Sequence, residues 1–252
     1  MSPIEFAALI FACVFGGALI GMTLRHRLPK NHLDADTRDL VKLGVGLVGT
    51  MSALVLGLLV ASTKGSYDVH RAELTQIAAN VILLDRVLVH YGPEATEART
   101  ALKSALTGML TTSWARGGGA QQGAGAQPSA GKEALFDRIQ ELTPRTDGQR
   151  VLLSQATSLA IGLGQTRWLL FAQSDSTIAM PFLVVVVAWL TVLALSFGLF
   201  APRNGTAVTT LLVTALSVAA ALYLVLELDQ PFSGLMQLSD APLRHALAVL
   251  GG

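Results

Sequence analysis

From Leu43 to Ser62 the sequence runs for twenty residues without a charge, and Gly49, Ala53, Gly57 and Ala61 recur through it at every fourth position. Coiled as a helix, a run of this length matches the roughly 30 Å hydrocarbon thickness of a bilayer. Small residues one turn apart let helix backbones approach closely where lipid gives helices no hydrophobic reason to associate. The segment therefore reads as a membrane span with one face built for packing. The opposite face carries Met51, Leu54 and Leu58, with Val48 and Ser62 at its ends, and offers bulky apolar groups to something other than its neighbours.

Three further runs are long enough to cross: Phe6 to Leu24, Ile178 to Phe200 and Ala207 to Leu226. Charged residues make up only 14% of the chain, well under the roughly 25% of a soluble domain. The first run is not expected to be a cleaved leader. Met1 to Glu5 holds no basic residue, Arg25, His26 and Arg27 follow the apolar stretch instead of preceding it, and no small-residue cleavage site is evident. Gly17 and Gly21 give that span the same four-residue spacing of small residues. Net charge is +1 and no Lys/Arg cluster is interleaved with aromatics, which argues against nucleic acid as a partner. Cys13 is the lone cysteine, so neither an intrachain disulfide nor a thiolate cluster is available.

The expected fold is an all-α membrane protein, with four transmembrane helices in two hairpins and a helical bundle inserted between the second and third. This gives a first hairpin over 1–62, a soluble insert over 63–177, a second hairpin over 178–228 and an interfacial segment over 229–252. Ile77, Val81, Leu84 and Leu88 follow helical spacing up to Gly92-Pro93, so the second span is expected to continue as one helix to Tyr91. A helix from Glu94 to about Trp114 places Ala98, Leu102, Ala105 and Met109 on one face. The Gly/Ala/Gln-rich stretch 117–131 has nothing to bury and reads as a flexible loop. A short helix follows from Lys132 to Leu142. Thr146 and Gln149 have capping-box spacing before a helix that carries Leu152, Ala156, Leu159 and Leu163. The turn from Ala201 to Gly205 closes the second hairpin.

Basic residues near the spans favour one side. Arg25, Arg27, Lys30, Arg38, Lys42 and Arg203 flank the hairpin loops, against Lys64, Arg71, Arg167 and Arg244 on the other side. This bias puts the loops inside and the bundle outside.

No arrangement for catalysis stands out, and the chain reads as a non-enzyme without a cofactor. His26, His32, His70, His90 and His245 are scattered, with no metal-ligand spacing among them, and His70 and His90 read as solvated helix residues. Glu227 and Asp229, followed by Pro231, Phe232 and Gly234, form an acidic pair leading into a helix break. Such a pair suits an oxygen-ligand cation site or a contact with basic groups on a neighbouring helix, and equally an ordinary interfacial helix end.

Ser52-Ala53-Leu54-Val55-Leu56-Gly57-Leu58-Leu59-Val60, taken with Glu227 to Gly234, resembles the bestrophins, pentameric anion channels. The whole chain is similar to bacterial membrane proteins described as bestrophin-like. That likeness runs through Leu43-Gly44-Val45-Gly46, Leu83-Leu84-Asp85-Arg86, His90-Tyr91-Gly92-Pro93, Arg167-Trp168-Leu169-Leu170 and Phe197 to Asn204. The resemblance implies a homo-oligomer in the bacterial inner membrane, with the lipid bilayer, its own copies and small anions as partners. It puts the insert in the cytoplasm, against the charge bias. It also implies a pore lined by the second span, with Thr50, Met51, Leu54 and Leu58 as gate candidates. Bestrophin necks often carry aromatics where this chain has Leu54 and Leu58, and the acidic run of the animal calcium clasp is absent. In the insert, Asp85 with Arg86 reads as an ion pair and Arg167 beside Trp168 as an interfacial anchor. Two functional readings follow: an anion channel with a hydrophobic gate, or a non-conducting membrane-anchored sensor or scaffold whose bundle binds a ligand or partner.

Overall fold

The computed structural model describes residues 3–27, 35–113, 130–172, 180–230, 234 and 236–251. Its eight α-helices are α1 (Pro3–Arg27), α2 (Ala35–Tyr91), α3 (Thr96–Ser113), α4 (Ala130–Gln140), α5 (Asp147–Ala172), α6 (Met180–Phe200), α7 (Gly205–Leu228) and α8 (Ala241–Leu250). Four of them, α1, α2, α6 and α7, contain stretches long and apolar enough to cross a bilayer. The protein is thus an all-α, multi-pass membrane protein. Most of the loop expected over 117–131 lies outside the described residues. Its last two positions already belong to α4, where Ala130 and Gly131 precede a good helix-forming run.

The helices fall into two units. The first draws on Met1–Ser66 and Thr177–Asp229, the second on Tyr67–Ser176 and Gln230–Gly252. The first unit is organised around α1, which packs along α6 and along α7. Ile10, Val14 and Ala18 of α1, Leu183 and Ala194 of α6, and Leu222 and Val225 of α7 form its buried core. Although α1 and α2 are consecutive in the chain, the first span thus packs on the second hairpin. Glycine is the reason α1 and α6 come so close. A Cβ on Gly17 would meet Thr191, one on Gly21 would overlap the Leu195 carbonyl, and one on Gly198 would overlap the Ala18 carbonyl. Arg25 at the end of α1 donates to the Ala201 carbonyl at 2.6 Å, and Arg38 of α2 lies 5.5 Å from the Phe200 ring centroid. Two basic residues that flank the first hairpin loop thereby meet the turn of the second hairpin at one end of this unit.

The second helix has 57 residues, roughly 85 Å at about 1.5 Å per residue. It stops where the sequence reading expects, at Tyr91. Gly92 adopts φ 124°, a conformation that side chains disfavour, and Pro93 begins a 3₁₀ turn to Ala95 that delays α3 until Thr96.

In the second unit α3 meets α4 and α8, and α4 meets α5. Leu84 and Leu88 of α2, Leu102 and Leu106 of α3, Ile139 of α4, Ala156 of α5 and Leu243 and Ala246 of α8 share one core. The segment expected to lie at an interface over 229–252 therefore contributes a bundle helix. Leu243, Ala246 and Leu250 recur on one face of only ten residues, too short a period for the sequence pattern to stand out. Gln149 ties the start of α5 to the end of α2. Its backbone N–H donates to Thr146 Oγ1, its side-chain amide donates to the Tyr91 carbonyl at 3.0 Å, and its amide oxygen accepts from Arg145 instead of closing a reciprocal box with Thr146.

Substituting Gly21→Leu or Gly198→Leu should cost roughly 3 kcal/mol by forcing the α1–α6 backbones apart. Gly16, with nothing within 4 Å of its Cβ direction, serves as the control. Thermal unfolding in detergent should show lowered midpoints for the first two variants and an unchanged one for Gly16→Leu.

Candidate functional site

The second helix carries three stripes through the membrane. One is packed. Ser52 and Thr63 are buried, and Leu56 and Leu59 lie against the core formed by α1, α6 and α7. The Ser52 and Thr63 hydroxyls donate to the Val48 and Leu59 carbonyls at 2.7 Å, so both polar groups are satisfied by their own helix inside an apolar setting. The second stripe is the small one. Ala53, Gly57 and Ala61 are exposed, Gly49 is half-buried, and no atom comes within 4 Å of where a Cβ would stand on Gly49 or Gly57. The third is bulky and open: Leu40, Leu43, Leu47, Met51, Leu54 and Leu58 succeed one another in steps of three and four, with Leu54 76% and Leu58 70% exposed. Thr50, beside it, is exposed and donates its hydroxyl to the Leu47 carbonyl at 2.8 Å.

The sequence reading set the bulky stripe opposite the small one. With about 3.6 residues per turn, the three stripes instead divide the circumference into rough thirds. The position opposite both open stripes is taken by the packed edge, so the chain's own helices leave the small and bulky stripes bare. Only 6% of the most apolar window of α2 is buried, against 33%, 22% and 28% for α1, α6 and α7.

The acidic pair at the end of α7 separates into two roles. Glu227 is buried and hydrogen-bonds to the Tyr223 side chain one turn earlier. Asp229 caps the helix, its backbone N–H donating to the Val225 carbonyl at 3.2 Å. Gly234 has φ 84°. Pro231 and Phe232 lie outside the described residues. Among the described residues no group of three or more His, Cys, Asp or Glu side chains is placed to hold a metal. His70 is buried on the inner side of α2, not solvated, because the packed face of the helix continues through position 70.

In the bundle, the partner of Asp85 is Arg99 and not Arg86. Consecutive helical residues point to different faces, and Arg86 is exposed while Asp85 is 4% exposed. Arg99 on α3 engages both carboxylate oxygens, at 2.7 and 3.3 Å, and the bond raises its guanidinium further above the usual range. Asp85 and Arg99 each lie seven residues from Gly92. An antiparallel helical hairpin centred on that glycine brings them level, and this was the available sequence signal. Arg167 lines a cavity of about 270 Å³ among α2, α3, α4 and α5, whose other lining residues, Val81, Leu102 and Phe136 among them, are all apolar. Burial pulls its guanidinium below the usual arginine range. Its neighbour Trp168 is 75% exposed.

A family model of the bestrophin-like domain matches residues 12–243. The chain belongs to the bestrophin-like family. No curated protein and no solved structure matches it. The match takes in most of α1, all of α2 to α7 and the first turn of α8. In this bestrophin-like protein the family's domain therefore takes in most of both units described above.

Arg99→Met should lower the stability of the bundle by about 2 kcal/mol, since it strands a buried carboxylate while removing a partly exposed cation. Arg86→Met should change it by less than about 0.5 kcal/mol. Hydrogen exchange of the α2 and α3 amides around Leu84 and Leu102 is the measurement, and equal effects would show that Arg99 is not the partner that matters.

Proposed function

We propose that this bestrophin-like protein is the subunit of an oligomeric ion channel, with α2 from each copy around a central axis and anions as the conducted species. It is a conduit and not an enzyme. The observation that carries the reading is the three-way division of α2. A ring of helices needs each member to be held by its own subunit on one side, to touch a neighbour on another and to face the axis on a third. The packed edge, the small stripe and the bulky stripe offer those surfaces in turn. Bare glycines at positions 46, 49 and 57 make poor lipid contacts and good helix contacts, which favours a second copy over lipid on that side. A small stripe packing only on itself would suit a two-fold dimer, but the bulky stripe would then be left to lipid.

On this reading Met51, Leu54 and Leu58 form apolar rings that expel water when narrow and admit hydrated ions when the helices splay. With Leu at the neck and no aromatic there, the rings dewet less sharply than larger side chains would make them. The gathering of Arg25 and Arg38 at one end of the membrane unit supports anions over cations, by raising the local anion concentration at that mouth.

A second reading is a non-conducting sensor or scaffold, and the cavity at Arg167 is the observation in its favour. Stoichiometry separates the two. A closed ring of about five copies with α2 innermost fits a channel, and a dimer fits a sensor. In planar-bilayer recordings of the purified protein, we expect anion-selective current from the wild type and a larger, less rectified current from Leu58→Ala. Silence from both, across voltage and salt, sinks the channel.

A further inference from the structure

We infer that the bundle of the second unit takes up one uncharged, apolar molecule of about ten carbon atoms in the cavity among α2, α3, α4 and α5. Conduction is not required for this. Val81 of α2, Leu102 and Met109 of α3, Phe136 of α4 and Ile161 of α5 converge on the space, and every lining residue but Arg167 is apolar. Arg167 already has an interaction, so its charge gives no reason to expect an anion there. Water is a poor occupant, because an ordered molecule needs about two to four polar partners and hydrocarbon walls provide none. A polar metabolite would leave most of its donors and acceptors unpaired. What such walls stabilise is hydrocarbon.

Size selects among apolar occupants. The volume, about 270 Å³, is nearly twice that of the ~150 Å³ apolar cavity known to accept benzene, a molecule of six carbons, which sets the occupant at about ten. One turn of a helix, about 10 Å across and about 5.4 Å long, fills roughly 400 Å³, so a partner helix is too large. A two-chain lipid is larger still. Met109, unbranched and polarizable, lets the wall adjust to a ring or a chain. Ile77 and Val81 belong to α2, so the occupant adds to the packing of the long helix itself. Each methylene buried there raises affinity about fourfold until the far wall is reached.

A bounded cavity and the lipid around the protein both take up hydrocarbon, and chain length tells them apart. Full-length protein in lipid nanodiscs is photolabelled with a diazirine-bearing decanol, and the adducts are mapped by mass spectrometry. We expect saturable labelling on the α3 and α5 segments around Met109 and Ile161. Unlabelled alkan-1-ols, compared at equal free aqueous concentration, should compete about fourfold better for each carbon added from hexanol to decanol, and no better beyond about twelve carbons. Decanoate, ionised at about pH 8, should compete at least about tenfold less well than decanol. Ala160→Phe fills the cavity and should abolish the labelling, whereas Met109→Ala enlarges it and should carry the improvement about two carbons further. Circular dichroism verifies that each variant is folded, and Met109→Ala keeps the test valid if Ala160→Phe does not fold. Four results overturn the proposal: labelling that does not saturate, competition that still improves at hexadecanol as partition into lipid would, decanoate equal to decanol, or an unchanged profile in a folded variant. A protein that takes up decanol but carries no current refutes the channel alone, and one that conducts without taking it up refutes the cavity site alone.

Discussion

Along α2 an inner seam, in steps of three and four residues, carries the contacts of each unit's other helices. In the membrane unit it runs through Ser52, Leu56, Leu59 and Thr63. In the bundle it continues through Tyr67, His70, Leu74, Ile77, Val81, Leu84, Leu88 and Tyr91. That spacing averages about 3.5 residues, the period at which one helix face stays turned toward long neighbouring helices. Each fully buried leucine on it contributes roughly 2 kcal/mol, so the seam outweighs the Asp85–Arg99 pair several times over. The ion pair fixes register across the α2–α3 hairpin, and burial supplies the stability.

The same seam works in two solvents, and its chemistry changes accordingly. In the membrane unit, where α1 and α6 are both strongly apolar, closeness rather than hydrophobicity discriminates the partner. Gly17, Gly21 and Gly198 supply it. In the bundle, where water competes, leucine and isoleucine carry most of the seam. Asp85 holds Arg99, and the Tyr91 carbonyl accepts from Gln149. The proposed pore surface lies off this seam, on the bare stripes of α2, whereas the cavity beside Arg167 is walled in part by the seam's own Ile77 and Val81.

Periodicity made much of this legible. The four spans, the unbroken helix to Tyr91 and the bundle character of the insert all follow from apolar spacing and from Gly92-Pro93. Four things did not. Position-by-position spacing finds small faces but not their partners, so Gly49 to Ala61 and Gly17 to Gly21 looked alike, although only the second pair meets another helix in this chain. Ion pairing between helices depends on register, which hid Arg99 behind the adjacent Arg86. Burial of a lone polar residue such as His70 depends on which face the seam occupies three turns away. The helix at 241–250 was missed because ten residues hold too few repeats to rise above composition.

That last helix has a consequence for synthesis. Leu238, Leu243, Ala246 and Leu250 complete a core whose other buried residues precede the third and fourth spans in the chain. A ribosome delivers α2 to α5 first, then two membrane segments, and only afterwards α8. Until then the bundle carries an open apolar groove beside Leu102 and Leu106. Its final closure waits for the synthesis of the last two spans, and the finished bundle thus reports that they have been made.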